Sequence, residues 1–347
     1  MKTFAWTPAQ TVGEAAASAS ITVADSMCAM RGDPGNAMSS VVKAGGIDLL
    51  DLLKERLLAP AILVSLTAVP GLGRIEEQAD GGLRVGAMVT LADIASHALM
   101  RRRYPALADA VGGSASPQIR NVATLGGNLL QRPRCWYFRA AEFHCLRKGG
   151  GHCFALDGEN AHHAIFDNRS CAIVHPSTAA TVLVALGAMV ELVDADGAVR
   201  RALLEDFFVS PDRDLQREND LQPHEIMTAV VLPAVPPGAC MAHLKLAQKD
   251  SFDWPLADVT AVMEMGADGV CQRASIVLGA AAPVPHRARA AEAALLNQRI
   301  TIPLAAAAAR AALDDATPLA HNAYKLALFE TLVRRTVLQA ASAAASA

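Results

Sequence analysis

The sequence IRNVATLGGN at positions 119–128 combines the paired glycines Gly126 and Gly127 with the small polar residues Thr124 and Asn128. A backbone without side chains lets N–H groups approach an anion closely, and the hydroxyl and amide groups add hydrogen bonds to a phosphate or a ribose. The stretch therefore predicts a turn whose backbone binds a phosphate group.

A second glycine pair, Gly45 and Gly46, lies between a predicted strand and a predicted helix over residues 47–58. The helix carries its acids early and its bases late, which complements the helix dipole. A single Gly-Gly pair before a helix is more often a structural turn, but two such turns can hold a dinucleotide pyrophosphate from both sides. Neither is a G-x-G-x-x-G fingerprint with an acid about 20 residues on, so a Rossmann NAD site is not indicated.

The composition favours a folded protein with two or three subdomains. The chain has 347 residues, and its formal net charge of -3 offers no basic stripe for a nucleic acid. No apolar run approaches the length of about 18 residues that would suggest membrane insertion. Residues 1–20 lack an apolar signal region, so we expect a cytoplasmic protein or, alternatively, a periplasmic one exported with a signal-bearing partner subunit.

Local patterns give a coarse division of the remaining chain. Strand-like runs alternate with turns over residues 61–89, and Asp196-Gly197 predicts a hairpin. Three prolines and a glycine within residues 233–238 mark a domain boundary. Beyond it we predict strands over 257–265 and 274–278, helices over 288–296, 302–313 and 323–340, and a flexible Ala/Ser tail over 341–347.

Four of the seven cysteines fall in one glycine-rich segment, namely Cys135, Cys145, Cys153 and Cys171. Without an export signal, such a cluster indicates metal binding before disulfides, and thiolates suit a soft metal or an iron–sulfur cluster. The spacing lacks the C-x2-C pairs of zinc ribbons and ferredoxins, so scattered free thiols remain the alternative. The other three are interpreted as buried isolated thiols: Cys28, Cys240 and Cys271.

Basic, histidine and aromatic side chains surround these cysteines. The basic residues can offset the charge of four thiolates, although solvated surface charges are the alternative: Arg132, Arg134, Arg147 and Lys148. The histidines are more often surface residues than ligands: His144, His152, His162 and His163. We expect the aromatic run to pack around the segment rather than to relay electrons: Trp136, Tyr137 and Phe138.

The two glycine segments resemble the two FAD motifs of the medium subunits in the xanthine dehydrogenase family of molybdenum hydroxylases. Residues 43–50, KAGGIDLL, resemble the first motif and residues 119–128 the second, and the similarity continues through the His175-Pro176-Ser177 sequence over essentially the whole chain. The resemblance implies an α+β fold, with a two-subdomain FAD-binding domain of the PCMH/vanillyl-alcohol-oxidase type and an α+β C-terminal domain of the CO dehydrogenase flavoprotein type. It divides the chain into subdomains at 1–58 and 59–232 and a C-terminal domain at 238–340.

The resemblance also implies which residues contact FAD. They are Lys43, Ala44, Gly45, Gly46, Ile47, Asp48 and Leu49 from the first motif, Ala123, Thr124, Gly126, Gly127 and Asn128 from the second, and Thr178 and Lys245. The chain departs from the family at Ile47, usually threonine, and at Thr178, usually aspartate. The change at Ile47 removes a hydroxyl donor, and the change at Thr178 replaces an acid with a hydroxyl; each costs about 1 kcal/mol if a hydrogen bond is lost.

The cysteine segment, at about residues 131–174, is similar to an insertion in a subgroup of this family, the bacterial periplasmic aldehyde oxidoreductases. There, four cysteines at nearly this spacing hold a [4Fe–4S] cluster. The sequence RCWYF at 134–138 and the pattern Cys171-x3-His175 carry this similarity. It implies that the same four cysteines bind such a cluster in this chain.

The implied activity is electron transfer by an oxidoreductase subunit, with no acid–base residue of its own. A large partner would carry the molybdenum cofactor, a small partner would carry [2Fe–2S] centres, and FAD would pass electrons to an external acceptor. Neither a nucleic acid nor a membrane is expected as a partner. Two alternatives stay open: a self-sufficient FAD-dependent oxidase of a small alcohol or aldehyde, and a zinc-binding scaffold.

Overall fold

The computed structural model describes residues 2–29, 39–249 and 252–345. Within these ranges the strands form three sheets, each covered by helices, and the α+β class is confirmed. In the same residues no helix combines the length and the apolar character that a membrane span requires.

The first sheet is parallel, with β3 between β1 and β2. Its elements are β1 (Ala5–Pro8), α1 (Val12–Ser18), α2 (Val23–Ala29), β2 (Ser40–Lys43), α3 (Ile47–Lys54) and β3 (Ile62–Ser65). Helix α3 starts where the sequence predicts, but it ends before Leu58 because Arg56 adopts a left-handed φ of 59°. Strand β3 follows the subdomain boundary predicted at residue 58, yet it pairs with β1 and β2.

The second sheet is antiparallel, in the order β4-β5-β8-β6-β7. Its strands are β4 (Ile75–Glu77), β5 (Leu83–Gly86), β6 (Met189–Asp194), β7 (Val199–Leu203) and β8 (Glu225–Leu232). The hairpin predicted at Asp196-Gly197 is confirmed, since it joins β6 to β7 and Gly197 has a φ of 84°. The carboxylate of Asp194 accepts the N–H groups of Asp196 and Ala198 and closes this turn.

Short helices lie between β5 and β8. They are α4 (Leu91–Ser96), α5 (Ala98–Arg103), α6 (Pro105–Gly112), α7 (Pro117–Arg120), α8 (Leu125–Leu129), α9 (Trp136–Arg139), α10 (Phe154–Asp157), α11 (Thr178–Ala185) and α12 (Leu204–Phe207). Every residue of α11 is buried, so it forms the centre of the core that the second sheet covers. Helix α8 contains the second glycine pair.

The third sheet is antiparallel, in the order β12-β11-β10-β9. Its elements are β9 (Ala239–Ala247), β10 (Pro255–Met265), β11 (Cys271–Gly279), β12 (His286–Arg287), α13 (Arg289–Leu295), α14 (Ile302–Ala311) and α15 (Tyr324–Ala345). The sequence predicts β10, β11 and the three helices, but it misses β9. The predicted tail is helical as far as Ala345, and residues 346–347 lie outside the described part of the chain.

A partly buried histidine, His243, lies in the sheet formed by β9 and β10. Its Nδ1 atom is 3.0 Å from the hydroxyl of Thr260. Burial lowers the pKa of His243 from 6.5 to about 3, and the charge of Lys245 acts in the same direction. The folded protein therefore holds this imidazole in its neutral form.

Acid should destabilise the chain partly through His243. As the pH falls from 6.5 towards 3, His243 binds a proton in the unfolded state but stays neutral in the folded state. The free energy of unfolding therefore decreases. We expect a shallower decrease in the His243→Asn variant, measured by urea denaturation between pH 7 and pH 4.5. Parallel curves for the two proteins would contradict this linkage.

Candidate functional site

The two glycine turns are in direct contact. A Cβ atom added to Gly45 would overlap the backbone carbonyl of Val122, which belongs to the second motif. Gly46, which precedes α3, has a φ of 90°, a conformation that side chains disfavour. The first glycine is therefore required by the approach of two backbones and the second by the geometry of the turn.

The second turn is held by hydrogen bonds of its own. The amide of Gly126 donates to the carbonyl of Ala87 over 2.8 Å, and the hydroxyl of Thr124 accepts the amide of Gly127 over 3.3 Å. The first turn instead leads into α3, and the first N–H groups of a helix have no partner within that helix.

Both turns line a cavity of about 450 Å³. It is bordered by predicted residues from the first motif, Ala44, Gly45, Gly46, Ile47, Asp48 and Leu49, from the second motif, Ala123, Thr124, Gly126, Gly127 and Asn128, and by Thr178 and Lys245. Lys43 is absent from this lining. Its ammonium group donates to the carbonyl of Ala44 and lies 5.2 Å from the centre of the Trp6 ring.

The third sheet closes one side of this cavity. Lys245 of β9 lines it, and its ammonium group donates to the carbonyl of Gly113 over 3.2 Å. Burial lowers the pKa of Lys245, whereas the carboxylates of Asp258 and Asp253 raise it. Phe252 and Trp254, which no sequence motif singled out, also line the cavity, and their half-exposed rings offer apolar surfaces to a planar ligand.

The carboxylate of Asp48 is occupied by protein groups. It accepts the backbone amide of Arg132 over 2.8 Å and pairs with the guanidinium groups of Arg134 and Arg139 at 2.9 and 2.6 Å. Asp48 can therefore offer a phosphate its backbone N–H rather than its side chain. This cluster also connects α3 to the start of the cysteine segment.

The two positions that depart from the family motifs, Ile47 and Thr178, both line the cavity. Thr178 begins α11, which the Ser177 hydroxyl caps by accepting the amide of Ala180. Ser177 also donates to the side-chain oxygen of Asn128 over 2.6 Å, which fixes the amide of Asn128 at the cavity wall. The amide NH₂ group of Asn128 is then the part oriented for a ligand.

The four clustered cysteines meet at a second, much smaller cavity of about 10 Å³. It is lined by Cys135, Cys145, Cys153 and Cys171, with Tyr137, Phe138, Phe154 and His163 among their neighbours. Within the described ranges, no group of three or more His, Cys, Asp or Glu side chains is arranged to hold a metal ion. The four thiols nevertheless line one cavity, and thiolates are the usual ligands of iron–sulfur clusters.

The thiols differ in acidity. Cys171 has its pKa lowered to about 6, mainly by a hydrogen bond from Cys153 and also by the charge of Arg147. Burial raises the pKa of Cys135 to about 12. The hydrogen bond from Cys153 and the charge of Arg147 both favour the thiolate form of Cys171.

The basic residues around the cysteines are not solvated surface charges, so that alternative is wrong for three of them. Arg132, Arg147 and Lys148 are buried. Lys148 donates to the carbonyl of Ala140, Arg147 lines the cysteine cavity, and Arg132 lines the larger cavity. The fourth, Arg134, also lines the larger cavity and lies 4.9 Å from the centre of the Trp254 ring.

The histidines separate into two groups. Three of them, His144, His152 and His162, are exposed, as the sequence predicts. His163 is buried, and its Nε2 atom is 3.2 Å from the sulfur of Cys135. The aromatic run packs as predicted, because Tyr137 contacts the rings of Phe143 and Phe154.

Residues 10–235 match the family model for the FAD binding domain in molybdopterin dehydrogenase, and residues 242–340 match the CO dehydrogenase flavoprotein C-terminal domain. The chain belongs to this flavoprotein family. The resemblance of the glycine motifs is thereby confirmed, and the chain contains an FAD-binding domain.

Several relatives match this chain over most of their own length. The aldehyde oxidoreductase FAD-binding subunit PaoB of Escherichia coli (strain K12) is 35% identical over 86% of this chain and 90% of its own. The nicotine 6-hydroxylase medium subunit of Paenarthrobacter nicotinovorans is 30% identical over 87% of this chain and 89% of its own. A carbon monoxide dehydrogenase structure from Hydrogenophaga pseudoflava, which lacks the Mo-pyranopterin moiety, superposes with a TM-score of 0.73 at 26% identity, covering 99% of this chain and 98% of that one.

Substitution of Gly45 should weaken FAD binding by this flavoprotein. In Gly45→Ala the new methyl group overlaps the carbonyl of Val122, so the two turns must separate. We expect at least about a tenfold loss of affinity, which is about 1.4 kcal/mol, measured by flavin released on denaturation and by reconstitution titration. The matched control is Gly73→Ala, because nothing lies within 4 Å of a Cβ at that position. Equal flavin content in both variants would contradict the role of the contact.

Proposed function

We propose that the chain is the FAD-binding electron-transfer subunit of a heterotrimeric molybdenum hydroxylase of the aldehyde oxidoreductase/xanthine dehydrogenase type. The observation that carries the proposal is the contact between the two glycine turns at one large cavity. Relatives matched over most of their length, including those named as subunits of aldehyde oxidoreductase and carbon monoxide dehydrogenase, support it. They favour this function over a self-sufficient oxidase.

The large partner would oxidise the substrate at a molybdenum cofactor, and the small partner would deliver electrons through [2Fe–2S] centres. FAD bound to this chain supplies two-electron and one-electron redox chemistry. The chain binds and orients the flavin and provides the path to an external acceptor. No side chain of this subunit needs to act as an acid or a base on the substrate. The compartment, cytoplasmic or periplasmic, stays a prediction.

The FAD contacts follow from the cavity lining. We propose that N–H groups of the first turn, from Gly45 to Leu49, donate to the pyrophosphate, with the wall of the second turn opposite. The side chain of Asn128 and the ammonium group of Lys245 add polar contacts. Lys43 is excluded from this set because its ammonium group bonds to Ala44 outside the lining.

We further propose that the four clustered cysteines bind a [4Fe–4S] cluster. Support comes from their common cavity, from the acidic thiol of Cys171 and from the hydrogen-bond distance between His163 and Cys135. Glycines allow the loop to turn tightly beside these cysteines, since Gly149 has a φ of 82° and a Cβ on Gly150 would overlap the carbonyl of His144. The domain division at residues 1–58, 59–232 and 238–340 is likewise a proposal, with β3 joining the first sheet.

The cluster is tested by iron analysis of the chain purified anaerobically with its partner subunits. We expect FAD and about four iron atoms per chain beyond those of the small subunit. Replacement of a ligand, in Cys153→Ser, should lower this iron content, whereas replacement of the buried thiol of Cys271, in Cys271→Ser, should leave it unchanged.

Two results would contradict the proposed function in different ways. Protein that contains neither flavin nor iron would reject electron transfer as the activity. One zinc atom per chain, without the additional iron, would reject the cluster alone and favour a structural metal site.

A further inference from the structure

Three buried charged side chains form a continuous chain between the two cavities. Arg147 pairs with one oxygen of Glu218 at 2.6 Å, and Arg132 pairs with the other oxygen at 2.9 Å. The exposed fractions of these side chains are 1% for Arg147, 5% for Glu218 and 2% for Arg132. We call these residues the Arg–Glu–Arg bridge.

Each end of the bridge reaches a different cavity. Arg147 lines the cysteine cavity, and its side chain also hydrogen-bonds the thiol of Cys171. Glu218 and Arg132 line the large cavity that contains the glycine turns. The carboxylate of Glu218 thus lies between the positive charge of Arg147, next to the thiols, and the wall of the large cavity.

The bridge is fixed to the backbone at both ends. Arg147 donates to the carbonyl of Arg217 over 3.3 Å, and Arg132 donates to the carbonyl of Gln216 over 2.9 Å. Both guanidinium groups therefore hold the segment that presents Glu218. Such a preorganised arrangement keeps the charges at fixed distances from both cavities.

Stability alone does not account for this arrangement. Replacement of a buried ion pair by apolar residues is often neutral or stabilising, because the cost of desolvation offsets the attraction. With all three side chains ionised, the bridge adds one net positive charge to a water-excluded region. That charge lies close to the group on which an added electron would reside.

We propose that Arg147 and Glu218 are positioning residues that set, with opposite signs, the reduction potential of the cluster bound by the four cysteines. The inference rests on the proposed function. One electron, supplied by a partner centre or by a chemical reductant, adds one negative charge to the thiolate-bound group. The positive charge of Arg147 stabilises that reduced form, and the negative charge of Glu218 destabilises it.

The chain contains a matched control. Arg84 and Arg201 pair with the two oxygens of Glu191, both at 2.8 Å, and the Glu191 side chain is 10% exposed. None of these three residues lines either cavity. Changes in this second trio remove an ion pair of a buried carboxylate, whose partners Arg84 and Arg201 are 21% and 48% exposed, without altering the charge near the cysteines.

The test is a redox titration of the complete complex under anaerobic conditions, with the reduced cluster followed by electron paramagnetic resonance. In Arg147→Met we expect the ratio of reduced to oxidised cluster at a fixed potential to fall about tenfold, which is 59 mV for one electron. In Glu218→Gln the same ratio should rise about tenfold. Arg147→Lys keeps the charge and should stay near the unaltered protein, as should Arg84→Met and Glu191→Gln.

Several outcomes would overturn the inference while leaving the proposed function intact. Shifts of the same sign in Arg147→Met and Glu218→Gln would do so, as would unchanged potentials in both. Loss of iron from both variants, with iron retained in Arg84→Met, would show that the bridge only supports the fold of the site. Absence of the additional iron from the unaltered protein would instead reject the proposed cluster, and the inference with it.

Discussion

The approach of the Gly45 backbone to the carbonyl of Val122 is the constraint on which the rest of the site depends. This contact joins two turns. One precedes α3 and belongs to the part of the chain that forms the parallel sheet, and the other precedes α8, which lies next to the second, antiparallel sheet. A cavity of about 450 Å³ lies beside the contact, where two backbone surfaces meet without side chains between them. The C-terminal sheet completes the wall with Lys245 of β9.

A second constraint is electrostatic. The carboxylate of Asp48 in α3 is held by the amide of Arg132 and by the guanidinium groups of Arg134 and Arg139. The same segment continues to Cys135, the first of the four clustered cysteines, so it connects the linings of the large cavity and the cysteine cavity. The Asp48 side chain is thus an anchor between α3 and this segment, while Asp48 also lines the large cavity.

Much of the fold was predictable because it is encoded locally. The Asp196-Gly197 hairpin, the start of α3 and the strands β10 and β11 follow from turn chemistry and apolar periodicity. Other features depend on distant partners. Strand β9, which pairs with β10, was missed. Burial of Arg147 and Arg132 was not foreseen, because their partner Glu218 lies far along the chain.

The sequence by itself determined the family, the two glycine turns and the group of four cysteines, since each is a matter of residue type and short spacing. Only the tertiary structure decided that the turns touch, that the thiols share one cavity and that an Arg–Glu–Arg bridge joins the two sites. The physical reason is that backbone contact, desolvation and ion pairing depend on distances between residues that are remote in sequence. Those distances are set by how three sheets pack, and no local pattern specifies them.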